Sequence, residues 1–380
     1  MEYKAYELNE LLPYEQPQAY IVKSTAYSDS YKIPVLTAGK SFILGYTNET
    51  EGIFDDLPVI IFDDFTTATQ YVNFKFKVKS SAMKILHINT DLVLPKYIFY
   101  KLQTINIDHS THKRYWIQQF SKIKVKVPSI PEQQRIVSRI EELFSSLDNA
   151  VETLQKTKEQ LAVYRQAVLE SCIGTGKIMT ISDCIEDMGQ GWSPKCIRTP
   201  VLNDEEWAVI TTTAVQPMNF LFAENKKLPE TLEARPKHEL KEGDILITRA
   251  GPRSRCGICC MVKKTKRRLM NCDKVYRLVV KKELILPEYL EAVLNSPAFQ
   301  NEIAFCKTGG NDSGVNLTQD RFINIKIPVP EINDQNRILS DIASRVSMCD
   351  SIEQTVNTAL AQAEAMRQSI LKEAFEGRLA

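Results

Sequence analysis

The 380-residue sequence lacks the short motifs that mark most common chemistries. It has no Gly-x-x-x-x-Gly-Lys-Ser/Thr loop and no Gly-x-Gly-x-x-Gly, so the usual backbone cradles for nucleotide phosphates are excluded. The Asn-Pro-Pro-Tyr and Asp-Pro-Pro-Tyr tetrapeptides of amino-methyltransferases are missing, as is a Gly-x-Ser-x-Gly nucleophile elbow. No apolar run approaches the roughly 20 residues that span a bilayer. The opening ten residues, Met1 to Glu10, are acidic and lack the basic-then-apolar order of a secretory signal. Net charge is almost nil, with 48 basic against 47 acidic side chains. Nine cysteines is an odd number, which fits reduced thiols better than a disulfide framework. The expectation is a soluble, cytoplasmic, multi-domain protein with no membrane partner.

What the chain does have is a copy of itself. Residues 120–136 and 322–338 align at a constant offset of 202 (322 − 120), matching Phe120 with Phe322, Lys124 with Lys326, Pro128 with Pro330, Gln133 with Gln335 and Arg135 with Arg337. The register runs on without a gap through Asp148 and Asp350, Arg165 and Arg367, and Leu169 and Leu371. Upstream, Leu94-Pro95-Lys96-Tyr97 echoes Leu286-Pro287-Glu288-Tyr289 at an offset of 192 (286 − 94), so one intervening loop differs in length. Two copies are too few for a solenoid. They describe one duplicated unit, a globular segment followed by a helix.

In each copy an alternating strand (Ile123, Val125, Val127; Ile325, Ile327, Val329) runs into proline, and a helix follows Pro131 or Asn333. Glu132 and Asp334 then sit beside the positive helix end. Apolar residues recur in steps of three and four: Ile140, Leu143, Leu147, Ala150, Leu154, Thr157, Leu161, Tyr164 and Val168. No Gly or Pro interrupts 132–173, and Gly174-Thr175-Gly176 stops the helix. At 1.5 Å per residue, about 40 residues make a rod of about 60 Å. The second copy offers Ile342, Cys349, Ile352, Val356, Ala359, Ala363, Met366 and Ile370, with Arg345 breaking the pattern opposite Leu143. Antiparallel pairing would set Leu147 against Ala363, Leu154 against Val356 and Leu161 against Cys349, large against small. The alternative is that each helix packs only on its own globular segment.

Charge divides along the same lines. Residues 1–127 and 177–329 carry nets of +2 and +4, whereas 128–176 and 330–380 carry −2 and −3. Basic ends on an acidic spacer suit a protein whose globular parts meet a polyanion.

The first globular segment reads as short strands, 58–62 and 71–78, around a polar loop at 63–70, then a helix at 95–102. The run 107–116 packs His109, His112, Lys113, Arg114, Tyr115 and Trp116 together; it suits phosphate and base-edge contacts, or else a solvated loop with its aromatics inward. In the second segment a strand at 243–248 leads into Arg249-Ala250-Gly251-Pro252-Arg253-Ser254-Arg255. The basic run 263–268 reads as a hairpin tip, solvated or touching phosphate. The polar loop 308–316 takes the slot of 109–116 in the first copy, so equivalent positions carry different chemistry. Cys256-x-x-Cys259 with Cys260 and Cys272 invites zinc, but no second pair with finger spacing follows and 257–262 reads as a buried strand.

These residues resemble a known family. Lys124 to Val137 followed by the long helix is similar to the central conserved region of Type I restriction–modification specificity subunits, and the second copy, closing in Ala374-Phe375-Glu376-Gly377-Arg378-Leu379, to their distal conserved region. The stretches 33–40 and 110–116 also resemble one class of target-recognition domain. The resemblance implies an α+β chain of two globular mixed α/β target-recognition domains, pseudo-twofold related and separated by two long antiparallel helices forming a coiled-coil spacer. Its divisions would be 1–130, target-recognition domain 1; 131–173, spacer helix 1; 174–330, target-recognition domain 2; and 331–380, spacer helix 2. It implies a non-catalytic reader of a bipartite, asymmetric site in double-stranded DNA, whose partners are two methyltransferase subunits and two restriction (motor-nuclease) subunits. S-adenosylmethionine, ATP and Mg²⁺ would sit on those partners, and no cofactor or metal on this chain.

On this reading Lys40, Thr67, Thr69, Gln70, Ser110, His112, Lys113 and Arg114 serve the first half-site, and Arg249, Arg253, Ser254, Arg255, Asn311 and Asn316 the second. Ile140, Leu147, Leu154, Leu161, Val168, Ile342, Val356, Ala363 and Ile370 form the helix seam. The rival from another class is a non-enzymatic coiled-coil tethering protein whose globular ends bind protein, which predicts no salt-dependent DNA binding. A fused nuclease or methyltransferase is more remote, because the motifs for it are missing.

Overall fold

The computed structural model describes residues 3–39, 41–105 and 114–378. The chain divides into two compact units, Met1–Leu154 with Asn357–Ala380, and Gln155–Val356. Among the described residues no helix is long and apolar enough to cross a membrane.

Each unit is layered around an antiparallel sheet buried on both faces. In the first unit the strand order is Tyr14–Glu15, Met83–Leu86, Val59–Asp63 and Thr69–Val72. The unbroken apolar run Val59-Ile60-Ile61-Phe62 follows from that double burial, because alternate side chains enter different cores. Ile60 and Phe62 join Tyr97, Ile98, Trp116 and Phe120 on the helical side. Val59 and Ile61 join Leu36, Phe76 and Val78 on the other. That second core is closed by a smaller sheet, Ile43–Thr47 antiparallel to Ile33–Leu36, which is itself parallel to Lys77–Val78.

The second unit repeats the plan. Its central sheet runs Ile185–Gln190, Val275–Val280, Ile245–Thr248, Cys259–Met261. Its smaller sheet sets Asn225–Lys227 antiparallel and Leu269–Met270 parallel to Ala208–Ile210. Cys259 faces one core and Cys260 the other, which splits the cysteine cluster: Cys256 and Cys259 lie on one side of the sheet, Cys260 and Cys272 on the opposite side. Burial pushes the Cys260 thiol up to about 12 and Cys272 to about 11, so these are protonated, inert core thiols.

The shared motif at the start of each long helix has a structural cause. Gln133 and Gln335 are fully buried. The Gln133 amide donates to the carbonyls of Leu92 and Pro128, both at 3.0 Å, and its oxygen accepts the Leu94 N–H at 2.7 Å. Gln335 makes the same three bonds, to Leu284, Pro330 and Leu286. The glutamine therefore ties the helix start to the loop before the helix Pro95–Leu102, or Pro287–Asn295 in the second unit.

The long helices span Ile130–Cys172 and Ile332–Phe375, with Glu132 and Asp334 in their first turns. In the first unit Ile140 and Phe144 pack with Leu371 and Ala374. Arg367 lies 4.8 Å over the Phe144 ring and ion-pairs with Asp148. In the second unit Val168 and Leu169 pack with Ile342 and Val346, while Arg165 binds Asp350 at 2.5 Å and Glu353 at 2.7 Å. Within each unit the two segments thus run antiparallel, and the repeat partners Arg165 and Arg367 make the same reciprocal ion pair. Ile140, Leu161, Val168, Ile342, Val356 and Ala363 are buried; Leu147, Leu154 and Ile370 are half-buried.

Three details of the spacing change. Tyr164 and Met366, equivalent in the repeat, are 47% and 54% exposed, and Ile352 is 41% exposed, so these positions face away from the contact. The contact instead takes the residue four beyond each heptad position: Phe144, Arg165, Val346 and Arg367. Periodicity did not separate Leu143 from Phe144, since both are apolar. Arg345 consequently breaks nothing; it lies beside the seam residue Val346 and pairs with Asp341 along its own helix.

Candidate nucleic-acid interface

In the first unit the turn joining Val59–Asp63 to Thr69–Val72 carries Thr67, with Thr69 and Gln70 on the returning strand opposite Phe62 and Ile61. Asp63 Oδ1 accepts the N–H groups of Phe65 and Thr66, shaping the turn. Thr67 takes a left-handed conformation (φ 60°), costly for a β-branched residue and met mainly where the surroundings enforce it. Asp64 connects this turn to Arg114. Its carbonyl accepts the Tyr115 N–H at 3.0 Å, and its Oδ1 accepts the Trp116 N–H at 2.8 Å. Its other oxygen lies 3.2 Å from Lys84 Nζ, with both side chains 2% exposed, and Lys84 also donates to Gln16. The exposed Arg114 is therefore brought to the hairpin turn by a buried ion pair. Lys40, Ser110, His112 and Lys113, and most of the run 107–116, lie outside the described residues.

In the second unit the structure joins the two loops singled out in the sequence. Ala250–Gly251 pairs with Val315–Leu317, which pairs in turn with Lys307–Thr308. The 308–316 stretch is thus a hairpin with its tip between strands, not an unstructured loop. Asn316 points outward between buried Val315 and Leu317, and Asn311 and Ser254 are exposed. Arg253 is ion-paired with Asp312 at 2.6 Å. Arg255 is committed to the protein: it donates to the carbonyls of Thr212 and Val215 and to Gln216 Oε1. Arg249 Nε donates to the Asp273 carbonyl, and its guanidinium lies over Tyr276.

The basic run 263–268 is not a hairpin tip. It links Cys259–Met261 to Leu269–Met270, strands of different sheets. Lys266 is buried with its ammonium on the carbonyls of Glu206 and Arg267, and Lys263 pairs with buried Glu291. These cations satisfy internal acceptors.

Sequence reasoning missed a groove of about 540 Å³ in this unit, lined by Lys195, Arg198, Lys226 and Lys274 beside Val209, Thr211 and Asp273. Its cations come from three segments far apart in the chain, so no local charge run announced it.

The comparisons with known proteins agree over nearly the whole chain. A family described as Type I restriction modification DNA specificity domain matches residues 1–162 and 187–362. The Type I restriction enzyme EcoR124I/EcoR124II specificity subunit of Escherichia coli is 33% identical, covering 91% of this chain and 87% of that protein. Among solved structures, a chain from work on complex assembly and conformational transition of the type I R-M system matches with a TM-score of 0.70 at 15% identity, covering 99% of this chain and 98% of its own. The HsdS subunit from Thermoanaerobacter tengcongensis matches at 0.51 and 15%, covering 99% and 97%. At such identities the solved structures speak to the fold.

Proposed function

We propose, from the premise that this chain belongs to the Type I restriction–modification DNA specificity family, that it reads a bipartite, asymmetric DNA target with one half-site per unit. The observation that carries this reading is one scaffold built twice with different polar loops at equivalent places. The first unit presents a hairpin turn with Arg114, and the second a three-stranded ribbon with Arg249, Arg253, Ser254, Asn311 and Asn316. Lys40, Thr67, Thr69, Gln70, Ser110, His112, Lys113 and Arg114 are proposed for the first half-site. Arg255, with its donors engaged, is proposed to hold the second loop in shape.

The helices Ile130–Cys172 and Ile332–Phe375 each begin in one unit and end in the other. They are the elements that would set the interval between half-sites, which on one face of a duplex falls near multiples of about 34–36 Å. Catalysis would come from companions: two methyltransferase subunits carrying S-adenosylmethionine for adenine N6, and two restriction subunits using ATP and Mg²⁺.

Mapping adenine methylation in a host that expresses this chain with and without a methyltransferase subunit tests the proposal. Methylation at one split sequence, dependent on both chains, is the expected result; methylation by the purified chain alone would make it an enzyme in its own right. Arg114→Ala is expected to relax the first half-site only, by about 1–3 kcal/mol if the contact is a base edge. Uniform weakening over all sequences with a shallower salt dependence would recast Arg114 as a phosphate contact.

A further inference from the structure

Several prominent cations of the second unit are already spent. Arg255 and Lys266 cap carbonyls, Arg253 pairs with Asp312, Lys227 with Glu206, and Lys263 with Glu291. Arg277 donates to the Glu239 carbonyl beside Asp187 and Asp244. Lys195, Arg198, Lys226 and Lys274 are the contrast: all four are exposed, none has an ion-pair partner among the described residues, and all line one groove. The groove's single acid, Asp273, is engaged by Ser193, whose hydroxyl donates to Oδ1. Lys226 and Lys227 are neighbours on the strand Asn225–Lys227, so their side chains point to opposite faces. One enters the groove; the other lines a separate hollow with Glu206. Arg249 is fixed to the groove's wall through its bonds to the carbonyls of Asp273 and Lys274.

Four exposed cations against one carboxylate leave the groove net positive, and an extended polyanion relieves the mutual repulsion of the cations. We infer that this groove is the track for the sugar–phosphate backbone of double-stranded DNA at the second half-site, with Lys195, Arg198, Lys226 and Lys274 as its phosphate contacts. Base reading falls to the adjoining ribbon of Asn311 and Asn316. The inference rests on the DNA-reading function proposed above and adds which surface carries the backbone.

The test is binding of the full-length chain, followed by fluorescence anisotropy over a salt series. The probes are a labelled duplex bearing the site found by methylation mapping and a labelled duplex of unrelated sequence. Each phosphate contact contributes about 0.9 to the slope of log affinity against log salt. The variant K195Q/R198Q/K226Q/K274Q is expected to lower the slope by about 3 to 4 on both duplexes. K226Q alone is expected to lower it by about 0.9, and K227Q to leave it unchanged. Should the quadruple variant misfold by circular dichroism, the K226Q and K227Q pair decides. Wild-type protein that shows no salt-dependent binding overturns the DNA-reading function itself. Salt-dependent binding with an unchanged slope in K226Q and the quadruple variant overturns the groove alone. Loss confined to the target duplex also overturns it, since backbone contacts are blind to sequence.

Discussion

Lys84→Met is expected to destabilise the first unit by about 3–5 kcal/mol, because it strips the counter-ion from a buried carboxylate. Asp64 is 1% exposed and its Oδ2 has no hydrogen bond beyond the ion pair with Lys84. Asp64→Asn in the Lys84→Met background removes the stranded charge while keeping an acceptor for the Trp116 N–H, and is expected to recover most of the loss. Urea unfolding followed by Trp116 emission, with Trp192 and Trp207 replaced by Phe, isolates this unit. A Lys84→Met midpoint near that of the wild type, or a double variant no better than the single, would show that the pair is not the support of this turn. The consequence for recognition is local: Asp64 also carries the backbone of Tyr115 and Trp116, so Arg114 loses its placement as the turn loosens.

The second large effect is expected from Gln133→Leu and, separately, Gln335→Leu. Leucine fills nearly the same space but leaves two carbonyls and one N–H without partners at a buried position. An unsatisfied buried group costs about 1–3 kcal/mol, so a loss of about 3 kcal/mol or more is expected for each variant. The sharper readout is hydrogen exchange: the Leu94 amide should lose protection in Gln133→Leu and the Leu286 amide in Gln335→Leu. Unchanged protection at those two amides would mean that the glutamine does not hold the loop.

Both variants expose how far the sequence could be read. The 202-residue repeat located Gln133 and Gln335 and both long helices, because identities at a fixed offset need no knowledge of packing. Arg165 with Arg367 and Asp148 with Asp350 were visible as matched letters, yet only the fold revealed that each arginine binds the other copy's aspartate. Ile140, Leu161 and Val168, picked out by the heptad steps, are buried, but Phe144 was indistinguishable from Leu143 until a partner helix chose between them. Lys84 carries no mark in the sequence, and nothing local distinguishes it from the exposed Lys75.

Local sequence determined the elements: apolar periodicity, proline at a helix start, glycine past a helix end and a duplicated motif are properties of neighbours along the chain. It therefore sufficed for two repeated α+β units, paired helices and membership of a DNA-specificity family. What tertiary structure decided was the fate of each charge. Arg255 and Lys266, prominent in basic stretches, turn inward to carbonyls, while Lys195, Arg198, Lys226 and Lys274, scattered and unremarked, converge on one groove. Whether a cation is satisfied internally depends on acceptors that arrive from distant strands, and the free energy of a charge is set by those through-space neighbours and by burial, neither of which spacing along the chain encodes.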